Sequence, residues 1–456
     1  MRSVSFGRAA AFIMSAPIAS TSKRRIGQPI GEPVAKKAFS IFTPVKDRKP
    51  CFKWLEATHT GSESCLQGAA HDAKLPKADS KHNIKLAMFD LDGTLIRPRG
   101  RSQFSGDETN WQWWHAAVPK KLKQVHAQGY TIIIFTNQLI KSNQLAVWKR
   151  KIPLVAQDLG IPFLIFAATQ KDQHRKPLQG MWQVAISNIA PRPVYDASSY
   201  YVGDAAGRAN DHSDGDRKFA YNLGLWTGTP LAFHTPEAFF LDQTELPFEL
   251  SGFDPDAFLK ETQDMPRVTP TSSALVPNGR VAEVVVAVGY PGSGKTQLYR
   301  DHFASKGYVH VNQDTLKTRI ACISLVESSL REGKSCFVDN TNRNIETRAH
   351  YIDLCRQHNA NVRCLNFDVP FAAAWHCNLF RAFVVPNSDA KQRSLVPETG
   401  YTSFREAYQP PTTHEGFDEV LTVNLVPKLE GKNVQRWRMR LCQATSAERR
   451  ALQALA

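Results

Sequence analysis

From Lys85 onward, short apolar runs alternate with longer mixed segments, and each run ends in polar or glycine-containing residues. Leu86–Phe89, Thr131–Phe135, Phe163–Ala167 and Tyr200–Val202 read as buried strands, because unbroken apolar runs of this length suit strands covered on both faces. Helical patterning lies between them, around Val118–Gln128 and Gln144–Leu159. A second series opens at Val284–Val288 and continues through Tyr308–Asn312, Ser335–Asp339 and Arg363–Phe367. Strands that alternate with helices predict parallel βαβ units. The expected fold class is therefore α/β, with two doubly wound parallel-sheet domains over residues 81–261 and 280–426. Residues 262–279, rich in Pro, Ser and Thr, are expected to link them.

The two ends depart from this texture. Before Glu32 there is no acidic residue, while Arg2, Arg8, Lys23, Arg24 and Arg25 are basic and Ser, Ala and Pro abound. Residues 1–80 are expected to be a disordered basic tail. Its low acidity resembles a mitochondrial transit peptide, its Ser22–Arg25 cluster a nuclear localisation patch, and its composition equally suits a plain charged tail. Residues 427–456 form a basic extension whose Arg436, Arg438, Arg440, Arg449 and Arg450 suit either phosphate contacts or a solvated helix.

The 456 residues carry a formal net charge of +15, which attracts polyanions, either nucleic acid or an acidic membrane surface. No apolar run approaches the length of a transmembrane helix. The eight cysteines are scattered without a C-x-x-C pair, which excludes a zinc-ribbon pattern and fits a reduced intracellular protein.

Chemistry concentrates at the ends of the predicted strands. The segment Lys85-Leu-Ala-Met-Phe-Asp-Leu-Asp-Gly-Thr94 runs an apolar strand into Asp90 and Asp92. Residues two apart on a strand share a face, so both carboxylates are expected at one site. Such a pair suits phosphoryl transfer through an aspartyl-phosphate. Asp90, ionised on its ordinary value of about 3.9, attacks phosphorus. Asp92 protonates the leaving alkoxide and then activates water. Two carboxylates repel a phosphate dianion, so a divalent cation (Mg²⁺) and basic donors are required. Thr136, Lys176 and Asp204 each follow a strand or its loop and supply, in that order, a phosphate hydrogen bond, a bridging ammonium and a metal ligand. The expected metal set is Asp90, Asp92 and Asp204.

The second site begins with Gly289-Tyr-Pro-Gly-Ser-Gly-Lys-Thr296, a complete G-x-x-x-x-G-K-[ST] pattern between a strand and a helix. Gly289, Tyr290, Pro291, Gly292, Ser293 and Gly294 form a loop whose backbone N–H groups, from every residue but Pro291, suit the phosphates of ATP. Lys295 reaches the β/γ-phosphates and Thr296 binds Mg²⁺. Asp314 is the candidate base for an attacking hydroxyl. Lys317 suits either an acceptor phosphate or a solvated helix face, Asp339 metal or phosphate binding, and Arg381 a lid position over transition-state charge.

The order Asp90/Asp92, Thr136, Lys176, Asp204 resembles the haloacid dehalogenase superfamily. Arg175-Lys-Pro-Leu-Gln-Gly-Met-Trp182, Val202-Gly-Asp-Ala-Ala-Gly-Arg208, Lys218-Phe-Ala-Tyr-Asn222 and Thr235-Pro-Glu-Ala-Phe-Phe240 narrow the resemblance to eukaryotic polynucleotide kinase 3′-phosphatases. Asn312-Gln-Asp-Thr315, Asp339-Asn-Thr-Asn342, Asn378-Leu-Phe-Arg381 and Gln409-Pro-Pro-Thr-Thr-His-Glu-Gly-Phe417 resemble the kinase half of the same enzymes. The resemblance spans about residues 84–425. It implies a 3′-phosphatase followed by an ATP-dependent 5′-hydroxyl kinase, with Asp314 as the kinase base and with Asp211 and Asp216 matching further functional carboxylates. Vertebrate members carry an amino-terminal phosphopeptide-binding domain; the first 80 residues here do not suit it, which implies the shorter fungal-type architecture. The substrates so implied are DNA ends bearing 3′-phosphate and 5′-hydroxyl groups, or RNA ends, since no motif reads a 2′-hydroxyl. The products suit a DNA ligase. A nuclear monomer, with a possible mitochondrial pool, completes the expectation, and an end-binding scaffold without catalysis is the rival reading.

Overall fold

The computed structural model describes residues 50–56, 63–75, 84–100, 107–139, 141–187, 195–277, 281–385 and 394–442. Residues 50–456 form one compact unit. The tail over residues 1–49, with its candidate targeting cluster, and Arg449 and Arg450 lie outside the described residues.

Thirteen strands build two sheets. The first contains β1 (Phe52–Leu55), β2 (Cys65–Ala70), β3 (Leu86–Phe89), β4 (Thr131–Asn137), β5 (Phe163–Ala168), β6 (Tyr200–Val202) and β7 (Ala232–His234) in the order β1-β2-β5-β4-β3-β6-β7. The second contains β8 (Val268–Thr269), β9 (Glu283–Val288), β10 (Val309–Val311), β11 (Cys336–Asp339), β12 (Asn361–Phe367) and β13 (Glu419–Val423) in the order β8-β13-β12-β9-β11-β10.

Each sheet has a parallel centre and an antiparallel edge. In the first, β3 pairs in parallel with β4 and β6, while β2 runs antiparallel to β5 and β1 to β2. In the second, β9 pairs in parallel with β11 and β12, and β8 runs antiparallel to β13. The chain winds outward from β3 to one side through β4 and β5, then returns to place β6 on the other side. From β9 it goes first to the edge strand β10, returns to β11 beside β9, and then places β12 on the other side. The carboxyl ends of β3 and β9 are therefore topological switch points, the crevices where open α/β sheets bind ligands. Val284–Val288 is fully buried, as expected of a central strand covered by helices on both faces.

Three expectations are corrected. Residues 52–55 and 65–70 belong to the first sheet and not to a tail: Cys65–Ala70 has few β-branched residues, and its strand forms through pairing with β5 and burial of Cys65, Ala69 and Ala70. The linker is partly structured. Val268–Thr269 forms β8, and Arg363 donates to the carbonyls of Ala274 and Leu275 at 3.1 Å each. The carboxyl-terminal extension is docked and not solvated. Its helix Lys432–Trp437 buries Trp437, Arg436 stacks on Trp226 at 3.8 Å, and Arg438 and Arg440 pair with Asp256 (3.3 Å) and Asp254 (2.7 Å). Opposite charges within the chain already engage Arg438 and Arg440, and an indole engages Arg436.

This segment joins the two sheets' domains. Trp437, Met439, Leu441 and Cys442 form one apolar cluster with Leu178 from the first half and Leu379, Phe380 and Val384 from the second. Asn222 exchanges two hydrogen bonds with the backbone of Arg440 (2.7 and 3.2 Å), and the buried Lys218 ammonium donates to the Cys442 carbonyl at 3.1 Å. Within the cluster's wall, His376 is fully buried and its Nε2 lies 2.9 Å from the Trp437 carbonyl, which fixes the neutral tautomer with the proton on Nε2. Burial pushes its pKa from 6.5 down to about 3.

Below pH 6.5 the unfolded chain binds a proton at His376 that the native chain excludes down to about pH 3, so stability falls as pH falls across that window. The expected loss is about 1.4 kcal/mol per pH unit. Urea unfolding of wild type beside His376→Gln, at about pH 7 and about pH 5.5, should show wild type losing about 1.3 kcal/mol more than the variant across that interval. Equal slopes would show that this histidine is not held neutral.

Candidate active sites

The first site is built on the end of β3. The strand stops at Phe89, so Asp90 sits at its mouth with its N–H on the Val202 carbonyl (2.9 Å), and Asp92 lies in the following bend, not on the strand. Lys176 enters from the loop after β5. Its backbone N–H donates to Asn137 Oδ1 (2.9 Å), which anchors that loop to the end of β4. The Lys176 ammonium is buried and reaches Asp90 Oδ1 and Asp216 Oδ1 at 2.6 Å each, the Phe135 carbonyl at 2.8 Å and the Tyr201 hydroxyl at 3.1 Å. Asp216, in the first turn of the helix Gly215–Thr227, also accepts from the Ala205 N–H at 3.1 Å. Asp204 exchanges hydrogen bonds with Thr94, which donates from Oγ1 at 3.2 Å and accepts from the Asp204 N–H at 3.0 Å.

Asp90, Asp204 and Asp216 offer oxygens that all lie within 4.8 Å of one another. Asp216 thus takes the place in the carboxylate cluster that was expected of Asp92. The Asp92 carboxyl turns instead to the Gln138 side-chain amide, which also donates to Thr136 Oγ1 at 3.0 Å. Asp211 pairs with Arg208 (2.9 Å) and does not join the cluster.

Electrostatics follow from this geometry. Burial, with Asp216 and Asp204 nearby, pushes Asp90 well above the usual carboxylate range, against the opposing pull of Lys176. That direction opposes the ordinary ionisation expected of Asp90. Burial and Asp216 push Asp204 up to about 6. Burial also raises Asp92, with Gln138 opposing, which suits a group that must hold a proton to give away. Lys176 ends above its ordinary value because Asp216 and Asp90 outweigh the cost of burying it. Three carboxylates converge here, and the Lys176 ammonium pairs with only two of them, Asp90 and Asp216. That surplus of negative charge, on oxygens converging to one point, fits a divalent cation, which would restore Asp90 to its ionised form. Space is tight around it: Gly93 has φ 87°, and a Cβ there would stand 2.5 Å from Asp204 Oδ2.

The second site follows β9. Lys295, at the start of a short helix, is buried with its ammonium on the loop carbonyls of Tyr290 (2.6 Å) and Gly289 (3.0 Å). Burial brings its pKa down to about 8, with Asp339 opposing. Thr296 donates to Asp339 Oδ2 at 2.6 Å, and His310 Nε2 lies 2.9 Å from the same oxygen. Burial alone would raise Asp339, but these bonds and Lys295 bring it below the usual range. At Gly292, with φ 78°, a Cβ would come within 3.0 Å of the Ala374 carbonyl and the Tyr401 hydroxyl, so the loop lies directly under the two helices Phe371–Phe383 and Glu398–Ala407. Tyr290 stacks on Tyr401 and tilts against Phe404 of the second helix, and Phe371 of the first meets it edge-on.

A cavity of about 610 Å³ opens beside this loop. Pro291, Gly292, Lys295, Thr296, Asp314, Lys317, Asp339 and Arg381 all line it. Asp314 is exposed, in a helical turn capped by Asn312, whose Oδ1 accepts from the Asp314 N–H at 2.9 Å. Lys317 donates to the Asp314 carbonyl (2.6 Å), and Arg381 is held by Asn378 at 3.1 Å. The structure thus brings together every residue the sequence suggested for this site.

Comparison with known proteins agrees with two sites of this kind. Residues 85–240 match the family described as Polynucleotide kinase 3 phosphatase, and residues 284–395 match an AAA domain. The chain is 36% identical over 343 residues to the "Bifunctional polynucleotide phosphatase/kinase" of Schizosaccharomyces pombe, covering 75% of this chain and 79% of the relative. This chain belongs to the bifunctional polynucleotide phosphatase/kinase family. It is also 30% identical over 406 residues to a "Putative bifunctional polynucleotide phosphatase/kinase" of Acanthamoeba polyphaga mimivirus, covering 81% and 89% of the two chains. The "Polynucleotide 3'-phosphatase ZDP" of Arabidopsis thaliana is 32% identical over 185 residues, 36% of this chain and 25% of that one. Phosphatase and kinase halves thus correspond to the first and second sheets.

Sequence reading missed several supports of the phosphatase/kinase sites. Gln138, Tyr201 and Thr94 hold Asp92, Lys176 and Asp204; each lies within or beside a quoted motif, which was the available signal. In the kinase half, Arg348 is fully buried between Glu415 (2.7 Å to each oxygen) and the Asn342 carbonyl (3.1 Å). The Gln409–Phe417 stretch therefore props the loop after Asp339 from behind.

Lys176→Met should lower the rate of 3′-phosphate hydrolysis at least about 100-fold, comparable to losing one transition-state donor, and leave phosphorylation of 5′-hydroxyl ends within about twofold. Asp216→Asn should raise the Mg²⁺ concentration for half-maximal hydrolysis by about tenfold. A Mg²⁺ titration with an unshifted midpoint would remove Asp216 from the metal set.

Proposed function

We propose that this chain heals broken DNA ends, removing 3′-phosphates at the Asp90 site and transferring the ATP γ-phosphate to 5′-hydroxyls at the P-loop site. The observation that carries this reading is the pairing, in one compact unit, of a Lys176-bridged carboxylate cluster with a complete P-loop beside an exposed Asp314. The net charge of +15 supports a polyanionic substrate.

In the first reaction an Asp90 oxygen attacks phosphorus, the P–O3′ bond breaks, and Asp92 passes its proton to the departing 3′-oxygen. Asp92, now a base, takes a proton from water, which attacks the aspartyl-phosphate and releases phosphate with Asp90 restored. Lys176 and Thr136 hold the phosphoryl oxygens and Lys176 keeps Asp90 in line. Asp90, Asp204 and Asp216 would hold a Mg²⁺, which would supply charge neutralisation for the incoming dianion. In the second reaction Asp314 accepts the proton of the 5′-hydroxyl as that oxygen attacks the γ-phosphorus and ADP leaves. Lys295 and Arg381 face the developing charge, and Thr296 with Asp339 would offer oxygen ligands to a Mg²⁺ carried by the nucleotide. The products, a 3′-hydroxyl and a 5′-phosphate, are the substrates of a nucleic-acid ligase. We assign the work to the nucleus on the basic Ser22–Arg25 cluster.

The test uses a nicked duplex bearing 3′-phosphate and 5′-hydroxyl, with Mg²⁺ and labelled ATP. Wild type should convert both ends. Asp90→Asn should lose only dephosphorylation, and Lys295→Ala only phosphorylation. Conversion of RNA ends alone would move the substrate from DNA to RNA, and conversion of neither would sink the reading.

A further inference from the structure

Gln138 stands just beyond the end of β4 and touches two reacting groups of the phosphatase at once. Its backbone N–H donates to the Ala168 carbonyl at 2.7 Å, which ties it to the end of β5. Thr136 lies two residues back on β4, and residues two apart on an extended chain share a face. Both side chains therefore stand on the side where Asp92 turns in. The Gln138 amide nitrogen donates to Asp92 Oδ2 and to Thr136 Oγ1, the latter at 3.0 Å. Gln138 is 6% exposed and Thr136 1%, so bulk water does not compete for these bonds.

An amide nitrogen carries two hydrogens and accepts nothing, and that dictates what its partners do. An ionised carboxylate only accepts, so the atom that faces Asp92 once it has lost its proton must be the nitrogen. While Asp92 is still an acid, Oδ2 is engaged as an acceptor, and the proton rides on Oδ1. A threonine hydroxyl has one hydrogen and two acceptor positions. With Oγ1 accepting from Gln138, the Thr136 hydrogen is left to point at a phosphoryl oxygen. An acceptor in place of this nitrogen would reverse both orientations. Asp92 and Thr136 would then each give their hydrogen to residue 138 and hold none for the substrate.

We propose that Gln138 is a positioning residue of the phosphatase, which keeps the Asp92 proton on Oδ1 and turns the Thr136 hydrogen toward the phosphate. This inference rests on the phosphatase reading of the Asp90 site. As the bond from Asp90 to phosphorus forms and the P–O3′ bond breaks, the proton passes from Asp92 Oδ1 to the 3′-oxygen. The charge left on Asp92 meets an N–H already aimed at it. In the second half, water returns a proton to Oδ1 while its oxygen attacks phosphorus and the bond to Asp90 breaks. One amide thus serves both half-reactions without moving.

The experiment compares the full chain with Gln138→Leu, which removes the donor, and Gln138→Glu, which keeps the shape and replaces the donor by an acceptor. Two phosphomonoesters separate the roles. A DNA strand with a 3′-phosphate releases an alkoxide that needs a proton, whereas 4-nitrophenyl phosphate releases a phenolate that does not. Both variants should lower kcat for the 3′-phosphate at least about 100-fold, the share of a general acid. Nitrophenolate release in the first turnover, which reports attack by Asp90 alone, should slow by no more than about tenfold, the share of one hydrogen bond from Thr136. Phosphorylation of 5′-hydroxyl ends should stay within about twofold and shows that each variant is folded. Equal losses on the two esters would make the role of Gln138 merely structural and overturn the inference. Undiminished hydrolysis of the 3′-phosphate in both variants would overturn it as well. A wild type that hydrolyses neither ester would overturn the phosphatase reading and this inference with it.

Discussion

Burying an ammonium is costly unless every proton finds an acceptor and the charge finds a counter-charge. Lys176 meets that condition with two carboxylates, a carbonyl and a phenol, drawn from four separate elements of the first sheet's domain. The end of β3, the body of β4, β6 and the first turn of the Gly215–Thr227 helix must all be in register for those four acceptors to converge. The same convergence packs Asp90, Asp204 and Asp216 closely enough to offer ligands to a cation. Fold and chemistry thus share one point of closure. In the kinase half Asp339 plays the converse part, a buried carboxylate that gathers Thr296 from the P-loop helix and His310 from β10.

The two halves are less separate than a pair of motifs suggests. Lys176 is followed within three residues by Leu178 and Gln179. Leu178 packs in the cluster that contains Leu379 and Phe380, and Gln179 donates to the Phe383 carbonyl at 3.0 Å. Arg381 sits on that same helix, Phe371–Phe383. The loop that positions one catalytic group therefore leans on the helix that carries another. The docked carboxyl-terminal segment closes the contact from the outside.

What the sequence disclosed and what it hid have physical causes. The central strands were legible because parallel strands covered on both faces are unbroken apolar runs, as in Val284–Val288. The site residues were legible because switch-point topology puts them immediately after such runs. Cys65–Ala70 was not, since a strand of small residues owes its state to the partner it pairs with. Nor was the docking of Arg436, Arg438 and Arg440, because a run of arginines reads the same whether it faces solvent or Trp226, Asp256 and Asp254. Asp216 was underrated for a similar reason: twelve residues separate it from Asp204, and only the return of the helix behind β6 places the two side by side.

The interface has a consequence for how the polypeptide tolerates being divided. A fragment cut between the sheets would carry Leu178 and Trp226 into water on one side, and Leu379, Phe380 and Val384 on the other, while Lys218 would lose the Cys442 carbonyl. Each piece would hold its own reactive centre and yet present a freshly bared oily face, inviting self-association.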